Sequence, residues 1–599
     1  MAYVDLIPKP GVLKDVDEYT AGPRWINTEK VRFDLATGYP EKIGGWTKFN
    51  NATVSGSARA IHVWRQLDGT VNLAVGTECF IYVYEGGDQY EITPLRASAQ
   101  SLSTTPFTTG SASSTTVTVA DTSHGAISGD GAIFNFGTGT TKVFDGITIT
   151  EAQMYPITYV NANSYTIEAT IGTASSGSTT NSAAGSVAVD YTLNCGVSQS
   201  AFALGWGAAK WGDSTWGTAR TSSAIALGLQ IWSIDHWGED LIAAPSGGAI
   251  YTWDVSNAVG TRMTAISNAP AQVNLVGVSP DRHMIAFGAH DGSAYDPLLI
   301  RWSDQEDNTT WAAGAANTAG SKKIETGTKV VAFSRASRQI IILTDSSAWG
   351  MQFVGPPFTF SFQEIGKKCG AIGPKSSVSV DNSTYWMGNN SFFRYNGTVK
   401  TIPCTVRDYV FDRMHPDRRD QTFASSVKEF NEIWWFYAST SGTDVDSYVV
   451  YNYGNDSWYT GTLDRLSWMD REIYDNPIAV DASGQIYFQE DGTNDVQSAI
   501  VASCETGVYE FNNGNRMMFL DKIIPAFKDM SGDMTFTIYS KKYPNSVERS
   551  KSRTITNSTQ LSRMRARGRQ HRFGWSTADV DNDWTLGKWR ANPRPDGDR

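Results

Sequence analysis

Cysteine is scarce in this sequence, and it is scattered. Cys79, Cys195, Cys369, Cys404 and Cys504 are odd in number and form no C-x-x-C pair. That argues against a disulfide framework and against a zinc site, and predicts reduced thiols. Long apolar runs are missing too. None approaches the roughly 20 residues a membrane helix needs. The opening MAYVDLIPKPG lacks the apolar stretch of a secretory signal. The expectation is a soluble chain with no membrane span, made in a reducing cytoplasm. Charged residues are few, at 19%, and no long segment repeats its apolar residues every 3.6 positions, so long helices are not expected.

The motifs of several enzyme classes are absent as well. There is no G-x-S-x-G elbow, no GxxxxGK phosphate loop and no H-E-x-x-H helix. The seven histidines (62, 124, 236, 283, 290, 415 and 571) are dispersed. His236, beside Asp235, Glu239 and Asp240, is the densest acid–base cluster, and a hydrogen-bonded turn histidine is its plainer reading. Asp579-x-Asp581-x-Asp583 begins like a calcium loop, but Trp584 stands at the required glycine and Arg590 at the closing acidic position. A glycosidase needs two carboxylates at a set separation, and nothing singles out a pair among the 61 acidic residues. We therefore expect no catalytic residue, no cofactor and no metal, and a protein that is not an enzyme.

Aromatic residues and glycine are abundant: 20 Trp, 25 Tyr, 26 Phe and 55 Gly. Aromatics suit pleated, half-buried surfaces and glycine supplies turns, which together favour all-β structure. At 599 residues the chain is long enough for two to four domains. The stretch LLIRWSDQEDNTTW (Leu298–Trp311) carries the organising unit: a short apolar strand, an Asp/Asn-rich turn and an aromatic restart at Trp311. Short Asp and Asn side chains bond their own backbone and reverse the chain. Ser303-Asp304…Trp311 faintly resembles the Asp-box turn of sialidase propellers without its glycine, and reads as a structural turn. The same pattern recurs from about Ile231 to Gly492. It is the grammar of a β-propeller, with six to eight blades of four strands.

Residues 58–95 read as a first propeller hairpin turning at Asp68-Gly69. Residues 96–195 turn rich in Ser, Thr and Gly. Thr116–Val119 and Tyr165–Ile167 alternate as exposed strands do, which favours a folded inserted β module over a flexible linker. Residues 196–504 hold the main propeller, and 505–599 a C-terminal β platform domain. Residues 1–57 form an N-terminal arm and strand that join the platform or the propeller.

Two stretches stand out as interface candidates. Trp206, Trp211 and Trp216 recur every five residues among glycines, a spacing that fits neither helix nor strand. They read as loop anchors packed down, with a carbohydrate platform as the sharper alternative. Arg563, Arg565, Arg567 and Arg569 alternate, so in a strand all four share one face. Guanidiniums in a row suit phosphates or a partner's carboxylates. The structural alternative is pairing with Asp579, Asp581 and Asp583. Residues 541–599 carry a local charge of +8 while the remaining 540 carry −19, and an acidic body does not draw nucleic acid by bulk charge.

The run RWINTEKVRFDLATGYPEKIGGWTKF resembles the opening of tail proteins of short-tailed bacteriophages, the nozzle, hub and DNA-stabilisation family. The segments from Trp232, at Leu298–Trp311 and at Tyr448–Gly461 are similar to the same family, as is the ending, where an Arg-rich strand leads to a Trp and an Arg/Pro-rich terminus. VTVADTSHG…YPITYVNANSYTI resembles a small β module often inserted in phage virion proteins. The resemblance implies a structural virion protein made in the host cytoplasm: a hexameric ring below the portal adaptor (the head-to-tail connector). It implies tail fibre or needle neighbours, and a lumen that retains packaged DNA and conducts it at ejection without binding it specifically. The runner-up is a propeller-type receptor-binding or glycan-depolymerising tail component, and a third reading is a cellular propeller scaffold.

Overall fold

The structure is a computed structural model. It describes residues 3–597 apart from 104, 138–140, 152, 177–179, 182–186, 195, 197–198 and 200–228. Trp206, Trp211 and Trp216 lie outside the described residues. The chain is all-β, with propeller-type four-stranded blades, an inserted β module and a C-terminal platform. It divides into two compact units, residues 54–199 with 227–325 and residues 1–53 with 326–599.

The unit of 54–199 and 227–325 contains three blades. The first runs Ala60–Arg65, Val71–Gly76, Ile81–Glu85 and Asp88–Glu91; the second starts at Trp232–Trp237 and the third at Val273–Val278. Neighbouring first strands lie side by side. In the first turn, Gly69 takes φ 95°, and the Asp68 carboxylate accepts the Thr70 N–H at 2.8 Å, the local bond that ends one strand and starts the next.

The Leu298–Trp311 unit corrects one expectation. Its strand extends over Tyr295–Trp302, but no strand restarts at Trp311. Asp304 Oδ1 accepts the Gln305 and Thr318 N–H groups at 2.9 and 2.7 Å, and Asp307 Oδ1 accepts the Thr309 N–H at 2.8 Å. The turn therefore closes on its own carboxylates. Trp311 plugs it, 2% exposed, with Nε1 donating to the Asn308 carbonyl at 2.7 Å. The next strand is Gly320–Lys323.

Residues 95–192 fold into three small sheets around a core of their own. Phe107, Phe134, Tyr155, Tyr165 and Tyr191 meet in it, and the Tyr191 hydroxyl donates to buried Asp121 at 2.5 Å. The apolar residues that alternate in sequence are those that turn inward, which makes the segment a module and not a linker.

The other unit contains four blades, beginning at Val330–Arg335, Ser377–Val380, Phe423–Val427 and Ser467–Met469. The last has three strands from its own stretch of chain and a fourth, Trp46–Thr53, from the N-terminal segment. The remaining strands of that segment join the platform. Val4–Leu6 pairs with Trp589–Pro595, and Arg24–Glu29 with Ala502–Thr506. Val31–Phe33 and Pro40–Lys42 share a sheet with Asp583–Leu586 and Phe527–Ser531. The platform core is aromatic: Trp25, Trp575 and Trp589 are buried, with the Trp589 ring 5.9 Å from Trp25 and 5.8 Å from Trp575.

One buried ionic cluster holds the N-terminal segment in this unit. Arg32 donates to Glu490 Oε2 at 2.9 Å, has Nε 3.3 Å from Glu432 Oε1, and lies 3.6 Å over the Phe430 ring. Glu432 is fully buried and accepts from the Tyr459 hydroxyl and from Trp434 Nε1. Burial opposes the charge on Arg32, but Glu432 and Glu490 outweigh it and hold the guanidinium protonated. Arg32→Ala leaves a buried carboxylate uncompensated, so we expect it to cost about 3–5 kcal/mol, read by chemical denaturation. Arg32→Met combined with Glu432→Gln should lose less than the single change.

Glu41 gives a pH signature. Burial is the main cause that pushes its carboxyl up to about 7 from the ordinary 4.5, against the pull of Arg32. The folded state then holds its proton more tightly than the unfolded state. Its stabilising effect is full below about pH 4.5 and is lost as pH rises through 7. Glu41→Gln should melt higher than the parent at pH 8, and the difference should vanish at pH 4.5.

Candidate functional site

The strand Ser562–Gly568 alternates strictly. Ser562, Met564, Ala566 and Gly568 face inward, while Arg563, Arg565 and Arg567 face solvent. The period of two follows from the pleat, with Met564 and Ala566 anchoring one face in the platform core. Arg569 departs from the expectation of four arginines on one face. The strand ends at Gly568, and Arg569 Nη1 donates to the carbonyls of Gly514 and Asn515 at 2.9 and 2.8 Å. It serves a turn.

The pairing with Asp579, Asp581 and Asp583 is not what forms. Asp581 accepts from the Asn494 amide at 2.6 Å, and Asp583 accepts its neighbour Trp584's N–H at 2.9 Å. Arg567 pairs instead with Asp596 at 2.5 Å. Arg563 and Arg565 have no ion-pair partner among the described residues.

A second strand was missed in the sequence. Arg549–Ile555 is the edge strand of a second platform sheet, the one that contains Arg24–Glu29 and Ala502–Thr506; it is exposed over six of its seven residues and lies alongside Ser562–Gly568. It adds Arg549, Lys551 and Arg553, again without an ion-pair partner among the described residues. The signal was the same two-residue spacing, R-S-K-S-R, obscured by serines. Six cations thus line two adjoining edge strands. Their mutual repulsion is mild in water, about 0.6 kcal/mol per pair at strand spacing, so a free edge tolerates them. An anionic surface laid against them would exchange that repulsion for charge-assisted hydrogen bonds.

Arg572 shows the structural use of the same residue. It is 8% exposed, and its guanidinium meets Glu548 at 3.0 Å, Glu505 at 3.4 Å and Glu18 at 3.5 Å.

Two places resemble reaction sites in part. Glu432 and Glu490 are paired carboxylates, but Arg32 lies between them and Glu432 is sealed from solvent. An open cleft in the other unit is lined by Arg96, Tyr251, Arg262 and Met263. Its cations are engaged, Arg96 by Asp130 and Arg262 by Glu91 at 2.7 Å. The lining holds no nucleophile beside a base. His236 is not a turn histidine. It sits in the strand Trp232–Trp237, with Nδ1 2.9 Å from Nε2 of His62 on the first strand of the adjoining blade.

No family model matches the chain, and no curated protein matches it in sequence. Solved structures share its β architecture at a low level. The extracellular domain of a hybrid two-component system, BT3049 from B. thetaiotaomicron, is 9% identical over 92% of this chain and 76% of that one, with a TM-score of 0.31. The phage phi92 endosialidase is 9% identical over 77% and 63%, at 0.20. An exo-β-1,3-galactanase from Phanerochaete chrysosporium is 9% identical over 62% and 97%, at 0.22. At that level nothing about activity carries across. No helix among the described residues is long and apolar enough to cross a membrane.

The two arginine environments predict opposite outcomes. Arg563→Ala with Arg565→Ala should change unfolding free energy by less than about 0.5 kcal/mol each, as surface substitutions do. Arg572→Ala should destabilise by about 1–3 kcal/mol, since it removes a largely buried guanidinium that meets three carboxylates, of which Glu18 and Glu548 keep Lys541. Urea denaturation of the three proteins separates a presented cation from a structural one.

Proposed function

We propose that this chain is a structural component of a short-tailed phage tail, a nozzle or hub that assembles into a ring through its C-terminal platform. The observation that carries the reading is the basic edge formed by Arg549, Lys551, Arg553, Arg563, Arg565 and Arg567. Ser562–Gly568 is anchored in the platform core through Met564 and Ala566, Arg549–Ile555 pairs along its length with Met534–Lys541, and most of the edge's charge has no ion-pair partner among the described residues. Such an edge fits the acidic surface of a neighbouring protein. The resemblance of the opening, blade and closing segments to tail proteins supplies the biological setting, including the sixfold ring beneath the portal adaptor and a lumen for DNA.

The charge distribution supports the same division of labour. A conduit must let DNA slide, and an acidic body does not hold phosphates. A basic lumen would trap them through counterion release. In this reading the basic edge faces protein and the acidic body faces the cargo.

Copy number in purified particles tests the proposal, by quantitative peptide mass spectrometry combined with imaging of the tail. About six copies on the tail axis are expected, because cyclic symmetry fixes the count. Copies in multiples of three at the periphery, with release of reducing sugar from host polysaccharide, would replace it with the receptor-binding or depolymerase reading. Absence from particles would overturn both.

A further inference from the structure

The first strands of two adjoining blades bring together three metal-ligating side chains that are far apart in sequence. His62 lies on Ala60–Arg65; Asp235 and His236 lie on Trp232–Trp237. His62 Nε2 is 2.9 Å from His236 Nδ1, and His236 Nδ1 is 3.6 Å from Asp235 Oδ1. All three ligand atoms lie within 4.8 Å of one another. Ligand atoms on a tetrahedral zinc-type ion at about 2.0–2.1 Å stand roughly 3.3 Å apart, so small side-chain rotations bring this set onto one centre.

The surroundings are those of a held site. Asp235 is buried, and its second oxygen accepts the Val278 N–H at 2.7 Å while the first accepts the His236 N–H at 2.9 Å. That fixes the carboxylate as outer partners fix a metal ligand. The Trp64 ring stacks on His62 with centroids 6.0 Å apart, and Trp64 Nε1 is anchored to the Glu239 carbonyl at 2.7 Å. His236 is the open side of the cluster, its side chain 42% exposed.

We propose that His62, Asp235 and His236 bind one divalent transition-metal ion of the zinc, cobalt or nickel class. Two imidazoles and one carboxylate leave at least one coordination position for water or a ligand, the donor set such ions favour and magnesium does not. The ion joins two neighbouring blades across their first strands, so it stabilises the native state of that unit by mass action. The inference is independent of the tail assignment.

The test uses the full chain without a histidine tag, stripped with chelator. Titration calorimetry with zinc chloride should give one saturable site per chain, and zinc should raise the melting temperature where magnesium at equal concentration does not. His62→Gln and His236→Gln should each weaken zinc binding by at least about tenfold. X-ray absorption of the stoichiometric zinc complex should report two imidazole ligands, which keeps the proposal decidable if a variant fails to fold. No saturable site in the parent, unchanged affinity in both folded variants, or a shell of oxygen alone would overturn it.

Discussion

Arg32 is the residue on which the unit of residues 1–53 and 326–599 depends. Its strand, Val31–Phe33, pairs with Pro40–Lys42, and its side chain reaches Glu432 and Glu490 on the blade side. A lone guanidinium buried this deeply would cost several kcal/mol, and so would a lone Glu432. Each is tolerable because the other is present, and because Tyr459, Trp434 and the Gly44 N–H occupy the remaining carboxylate positions. The cluster contributes specificity more than net stability. An apolar replacement could pack as well, but it would not require residue 32 to meet residues 432 and 490 in one register. That register places Trp46–Thr53 as the fourth strand of the last blade.

The blades were legible in the sequence because their information is local. A hairpin is specified by a few turn residues between alternating segments, as at Asp68-Gly69 and Asn396-Gly397, where Gly397 takes φ 102°. The inserted module was legible for a related reason, since Val117, Val119, Tyr165 and Ile167 mark one face at a period of two. Trp311 misled because an aromatic after an Asp-rich turn can start a strand or fill the turn, and only the bonds of Asp304 and Asp307 decide between them.

Pairings between distant segments could not be read in this way. His62 and His236 each stand in an ordinary strand, and nothing local brings 62 beside 236. The partition of residues 4–53 among three platform sheets and one blade is equally silent, because alternation gives a strand's faces and not its partner. The basic edge was half legible. Arg563, Arg565 and Arg567 are adjacent in period, but Arg569 continues the spacing beyond the end of the strand. Arg549, Lys551 and Arg553 show the same spacing in sequence, but their place beside that strand follows only from the neighbouring sheet edge.

These two kinds of information bear differently on the chain's use. The platform sheets combine residues 4–42 with residues 502–595, so the scaffold that holds the basic edge needs segments separated by more than 450 positions. Loop closure over such distances is slow and entropically costly. The inserted module, by contrast, closes its core between residues 102 and 191 and needs no distant partner. An edge of exposed cations is a hazard for a partly folded chain among nucleic acids and acidic proteins. Here the strands that carry it pair within the C-terminal stretch, Arg549–Ile555 with Met534–Lys541 and Ser562–Gly568 with Met518–Ile524. Pairing of the cation-bearing strands is thus local, and it is the far strands of their two sheets, Val4–Leu6 in one and Lys9–Val12 with Arg24–Glu29 in the other, that must be brought in from the start of the sequence.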